Sequence, residues 1–233
     1  MSESNKPKIV ILTSRKWNEW MASDPELRTV SEPKLVVSPQ ELTTEFLRDW
    51  KPEFVFVPHW SFLIPKEIFS EFKTVIFHMT DLPYGRGGSP LQNLIQRGHT
   101  KTKISAIECG DGLDAGPVYC KQDLDLYGTA EEIFLRASKT IHSMILKILR
   151  ERMQPIPQSG AVTEFKRRKP EESDLLSGKS RSEEDIYDFI RMLDAPGYPK
   201  AFIDMGEFRI EFSEALLKQD RIKGTFEIRK KSQ

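Results

Sequence analysis

Residues 75–98 read VIFHMTDLPYGRGGSPLQNLIQRG and fall into three pieces of different character. Val75, Ile76 and Phe77 are β-branched or aromatic and predict a short strand. That strand delivers His78 at its carboxyl end, the side of an open parallel sheet on which ligands bind. Met79 to Ser89 is a loop rich in turn formers: Asp81, Pro83, Gly85, Gly87 and Gly88. A helix is then predicted, with Ser89 as N-cap, Pro90 at the first helical position and Gln92 placed for a capping box. His78 alone would fit an ordinary strand–loop–helix connection. A histidine at a strand end, a glycine-rich loop and a helix start together make a candidate reaction site.

Around this stretch, strands and helices alternate. Lys8 to Thr13 (KIVILT) is a nearly continuous apolar run, as a central parallel strand covered on both faces requires. Trp17 and Trp20 follow and are read as packing residues. Leu35–Val37 is a second strand, and Ser38, Pro39 and Glu41 predict a capped helix start. That helix carries Leu42, Phe46 and Leu47 on one face and ends near Trp50. Phe54–Val57 is a third strand, and Ile104–Cys109 and Val118–Leu126 flank a tight turn at Gly110–Gly116. Thr129 and Glu132 cap a long helix to about Met153, with Ile133, Ala137, Ile141, Met144, Ile145 and Ile148 on its inner face. His142 lies along it as a structural or exposed residue.

The alternation predicts an α/β fold with a doubly wound, mainly parallel sheet over residues 1–153. No GxGxxG follows the first strand, so no dinucleotide fingerprint is present. From Gln154 the composition shifts: MQPIPQSG is a proline-containing connector and KRRKPEESD a charged, exposed run. A helix at Asp185–Leu193 and short strands out to Ile228 predict a small α+β, partial-barrel subdomain over 154–233.

Composition narrows the class further. Lysine plus arginine equals aspartate plus glutamate at 35 each, so no global basic field favours nucleic acid. Cys109 and Cys120 lack metal-ligand spacing and suit a reducing compartment, so no metal is expected. The leading residues MSESNKPK are polar, and no apolar run approaches the roughly 20 residues that span a bilayer. A cytoplasmic location without membrane contact is expected.

The spacing of His78, Leu82, Pro83, Arg86, Gly87 and Pro90 resembles the signature loop of the folate-dependent formyltransferases. That family includes methionyl-tRNA formyltransferase and the sugar N-formyltransferases. Gly112-Leu113-Asp114-Ala115-Gly116 resembles its Gly-Leu-Asp-x-Gly segment. The resemblance implies a Rossmann-like formyltransferase fold, 10-formyltetrahydrofolate as formyl donor, His78 for proton transfer and Asp114 as its electrostatic partner. It places Phe62, Leu63 and Ile64 around the pterin, with Asp111 beside it. It also implies substrate contacts from Thr80, Arg86, Gly87 and Gly88. In the C-terminal part, Arg167, Arg168, Pro170, Tyr198, Pro199, Ala201 and Phe202 match more loosely. The chain departs from the family at Ile76, where the pattern has an asparagine that contacts the formyl oxygen. Losing one such donor costs about 2.7–4 kcal/mol where tested; Thr80, Ser61 and His59 are candidates to replace it.

Residues 160–233 carry 15 basic and 15 acidic side chains, which argues against phosphate-rich tRNA as acceptor. The acceptor expected is therefore a nucleotide-linked amino-dideoxy sugar of surface glycans, its diphosphate held by Arg86 and the helix start at Pro90. Methionyl-tRNA is the alternative, and a non-catalytic folate- or sugar-nucleotide-binding relative a third reading. Resemblance to the sugar enzymes also implies a homodimer.

Overall fold

The computed structural model describes residues 6–177 and 181–231; the first five residues of the polar leader lie outside these. The chain divides into two compact units of interleaved segments. The first comprises residues 1–86, 103–124 and 136–164, and the second residues 87–102, 125–135 and 165–233.

The first unit is built on a six-stranded sheet. In chain order its elements are β1 (Lys8–Thr13), α1 (Pro25–Val30), β2 (Glu32–Val36), α2 (Thr44–Trp50), β3 (Phe54–His59), α3 (Lys66–Glu71) and β4 (Thr74–His78). β5 (Tyr84–Gly87) and α4 (Pro90–Gln96), the latter in the second unit, precede β6 (Lys101–Glu108), β7 (Val118–Asp125) and α5 (Ala130–Glu151). Strand order is β2-β1-β3-β4-β6-β7. The β1–β2, β1–β3 and β3–β4 pairs are parallel, and β6 runs antiparallel to β4 with His78 opposite Ser105. The sheet is thus mainly parallel, as the alternation of elements predicts.

Period-two alternation sorts the strand residues onto two faces. Val10, Leu12, Val55 and Val57 pack with Leu47 and Ile68 of the short helices on one face, and Ile76 packs partly against them. Phe54, Phe56 and Phe77 form an aromatic row, with ring centroids 5.2 and 6.3 Å apart along it. The inner face expected of α5 is buried from Ile133 through Ile148, and its Thr129–Glu132 capping box forms as predicted. His142 of α5 is structural: its Nε2 lies 3.0 Å from Asp24 Oδ1, and its ring lies 4.8 Å from that of Trp20. Trp20 is itself 38% exposed, with Nε1 donating to Ser138.

Two helix starts differ from expectation. Ser38 donates to the Glu41 carboxylate, and α2 instead begins after Thr43, whose hydroxyl accepts from Phe46 N–H. Ser89 precedes α4 with φ 50° and makes no side-chain cap. Its hydroxyl accepts from Arg168 N–H, and Gln92 donates to the Met192 carbonyl. Tertiary partners outcompeted the local cap in the second case.

In the second unit, α6 (Glu183–Arg191) packs on an antiparallel sheet of β9 (Ala201–Met205), β10 (Phe208–Lys218) and β11 (Arg221–Lys230), order β11-β10-β9. β8 (Thr163–Phe165), which like β5 lies mostly in the first unit, pairs with β5 in a two-stranded ribbon. Phe189 and Ile190 are the buried face of α6. Arg191 is buried too, paired with Asp188 at 2.6 Å and donating to the carbonyls of Leu126 and Gly128. Among the described residues no helix is long and apolar enough to cross a membrane.

Candidate active site

His78 ends β4 with 9% of its side chain exposed. Its Nε2 lies 2.7 Å from the carbonyl oxygen of Gly85. A carbonyl only accepts, so Nε2 carries the proton of this hydrogen bond and Nδ1 is the ring nitrogen left to face other groups. Nδ1 faces Asp114 Oδ2 at 3.5 Å, and Asp114 is 12% exposed. The pair named from two separate motifs is therefore brought together. Beside it, burial and then the charge of Asp114 push the Cys109 thiol up to about 11, so this cysteine stays protonated at neutral pH.

The loop after His78 is held from several sides. Leu82–Pro83 is a cis peptide, and Ser105 donates to the Thr80 carbonyl while accepting from Leu82 N–H. Lys121 and Lys103 lie 2.6 and 3.2 Å from the Asp81 carboxylate. Burial raises that carboxyl, but hydrogen bonds and charge from the two lysines outweigh it and hold Asp81 below its ordinary range. Gly87 has φ 107°, and a Cβ there would meet the Phe165 carbonyl oxygen at 2.4 Å, so only glycine fits. Gly88 approaches Arg167 as closely.

The remaining predicted residues fall into two groups. Phe62 (54% exposed) and Leu63 (94%) stand on the β3–α3 loop, and Leu113 (70%) on the β6–β7 turn. Lys66 ties these two loops by a 2.8 Å ion pair to Asp111. Ile64 turns inward onto the core cluster under the sheet. Of the groups considered as replacements for the missing asparagine, Thr80 donates to the Gly85 carbonyl and Ser61 shares a hydrogen bond with Ser14. The His59 ring meets Trp17 edge-on at 5.9 Å. Ile76 lies on the same strand face as His78, two residues away.

One residue of this site was missed. Gln158, from the connector read as a mere linker, accepts from Arg86 Nε and Nη2 at 3.2 and 2.8 Å. It donates to the carbonyls of Asp114 and Gly116, both at 2.8 Å. A glutamine in a proline-containing connector carries no sequence signal of such a role. Arg86, expected to hold a diphosphate, is engaged with this side chain. Among the described residues no cluster of three His, Cys, Asp or Glu side chains is placed for a metal.

Burial, and secondarily the charge of Arg15, push His59 down to about 4. Its depressed folded value means that the unfolded chain binds the proton first. Stability is complete above the unfolded value of about 6.5 and falls as pH drops towards 4, by about 3 kcal/mol in all. Urea unfolding at both pH values should show wild type losing that much more than His59→Gln; parallel pH curves would refute the assignment.

A nearly buried histidine–carboxylate pair suits general acid–base chemistry. Comparison with known proteins specifies the family. Residues 5–149 match the family model described as formyl transferase, and residues 170–229 match methionyl-tRNA formyltransferase, C-terminal domain. A solved structure named methionyl-tRNA formyltransferase from Clostridium thermocellum is 50% identical, with TM-score 0.93, covering 97% of this chain and 100% of that one. Methionyl-tRNA formyltransferase of Wolinella succinogenes is 28% identical over 165 residues, 66% of this chain and 52% of that protein, so the chain spans about half of that relative. A HypX structure from Aquifex aeolicus in complex with tetrahydrofolic acid shares the fold at TM-score 0.72 and 19% identity, covering 93% of this chain and 39% of that one. This chain belongs to the formyl transferase family of enzymes.

These matches correct the expected acceptor. The C-terminal model and the 50% identical structure both carry the methionyl-tRNA name, against the nucleotide-linked amino sugar and in favour of the alternative acceptor that the charge balance had counted against. The surface-glycan role and the diphosphate role of Arg86 fall with the sugar, as does the basis for a homodimer. Balanced charge misled because it counts residues, not surfaces: Arg209–Asp204, Arg229–Glu227 and Lys230–Glu207 neutralise one another in ion pairs. A neutral total does not describe the field elsewhere.

Proposed function

We propose that this chain transfers the formyl group of 10-formyltetrahydrofolate to the α-amine of methionine esterified to tRNA. The observation that carries the acceptor is the match of residues 170–229 to the methionyl-tRNA formyltransferase C-terminal domain. The donor is supported by the family and by the tetrahydrofolate complex of a protein sharing the fold. The donor supplies an activated formyl group on nitrogen. The exposed apolar side chains of Phe62 and Leu63 suit the face of a flat ring, with Asp111 on the loop tied to theirs, whereas Ile64, turned onto the core, would support that loop from beneath rather than touch the pterin. His78 Nδ1 takes the proton released as the amine bonds to the formyl carbon and gives it to the folate nitrogen as the carbon–nitrogen bond to the donor breaks, with Asp114 balancing the imidazolium in between. The Gly85 carbonyl keeps the ring oriented throughout. Thr80, Gly87 and Gly88 shape the acceptor side of the loop. A cytoplasmic location suits the unpaired thiols of Cys109 and Cys120.

The test offers purified protein 10-formyltetrahydrofolate with methionyl-tRNA, uncharged tRNA or free methionine. Formylmethionyl-tRNA is expected, with its formation abolished in His78→Ala. Failure to formylate methionyl-tRNA, under conditions where a known methionyl-tRNA formyltransferase succeeds, would sink the proposal.

A further inference from the structure

We propose that Gln158 is a positioning residue for this reaction, joining Arg86 to the backbone of the Asp114 turn and so holding Asp114 against His78; this rests on the formyl-transfer reading above. The side-chain amide has two donor hydrogens and an oxygen with two lone pairs. All four are used, by Arg86 Nε and Nη2 on one side and the carbonyls of Asp114 and Gly116 on the other. The orientation is dictated by the partners, since a guanidinium only donates and a carbonyl only accepts.

Asp114 needs such a hold. Its φ is 48°, a left-handed conformation that a non-glycine residue keeps where its surroundings hold it. The two accepted hydrogen bonds fall on either side of Ala115, whose own N–H bonds to Gly112, so the turn is clamped along its length. The other end of the strut is equally pointed. Arg86 directly follows Gly85, whose carbonyl orients the His78 ring. His78, Gly85, Arg86, Gln158 and Asp114 therefore form a closed ring of contacts, in which Gln158 links the two holders of the imidazole.

Gln158→Met preserves length and removes every polar contact; Gln158→Glu places a carboxylate oxygen against two carbonyls. In both, kcat should fall about 100-fold with KM for either substrate within about twofold of wild type. On an Asp114→Asn background the further loss should shrink to about threefold or less, because the strut acts through Asp114. Hydrogen exchange supplies a readout without activity: the segment 109–117 should exchange about tenfold faster in Gln158→Met, with global stability little changed. Arg86→Lys, which keeps charge but loses the forked contact, should move exchange and kcat the same way and guards against a variant that fails to fold. Unchanged exchange, unchanged kcat in an active enzyme, or full additivity with Asp114→Asn would each overturn the proposal. A wild-type chain that formylates nothing would fail the proposed function instead, while exchange still judges the strut.

Discussion

Asp114→Asn should lower kcat for formyl transfer by about a thousandfold while KM for both substrates stays within about twofold of wild type. Asparagine has the size and shape of aspartate, and among non-glycine residues it is well suited to the left-handed conformation at φ 48°. The turn and its clamp by Gln158 should therefore survive. What disappears is the negative charge 3.5 Å from His78 Nδ1, in a site where both side chains are nearly buried. Burial removes the water that would otherwise screen that charge, so its loss is felt mainly when the imidazole becomes cationic. Steady-state kinetics with both substrates varied will check this. A kcat within tenfold of wild type would remove Asp114 from the proton-handling group. A rise in KM alone would make it a binding residue.

The second large effect concerns stability. Gly116→Ala should cost about 3 kcal/mol and abolish transfer, whereas Gly110→Ala, in the same turn, should cost under about 0.5 kcal/mol. A Cβ at position 116 would sit 1.8 Å from the Glu108 carbonyl oxygen, with backbone rather than a movable side chain in the way. Relief requires the end of β6 to part from the turn, breaking the 2.9 Å hydrogen bond from Glu108 N–H to the Pro117 carbonyl. A Cβ at position 110 meets nothing within 4 Å. Urea unfolding midpoints of the two variants give the comparison directly. Equal stability would show that the turn yields cheaply and that its close approach to β6 is not what requires glycine.

The candidate site was legible to different depths. His78 was readable because a β-branched run ending in histidine, followed by turn formers, is local information. Asp114 was readable only through resemblance of its segment to a family motif, since a turn aspartate is otherwise commonplace. Gln158 was invisible, because its role depends on two carbonyls and a guanidinium that no spacing rule connects to it. Ser89 shows the same limit from the other side. Its sequence context is that of an N-cap, yet a hydrogen bond from Arg168 N–H occupies its hydroxyl instead.

The sequence by itself determined the alternation of strands and helices, the apolar faces that build the mainly parallel sheet, and the identity of the loop that carries His78, though not the short helices Pro25–Val30 and Lys66–Glu71 or the strand Tyr84–Gly87 within that loop. These follow from periodicity and turn chemistry, which act over a few residues. Only the tertiary structure decided that the turn after β6 folds back to bring Asp114 to Nδ1, that Gly85 takes Nε2, and that Gln158 links their supports. Those contacts depend on strand register and on left-handed backbone positions imposed by distant partners, and short-range patterns do not encode either.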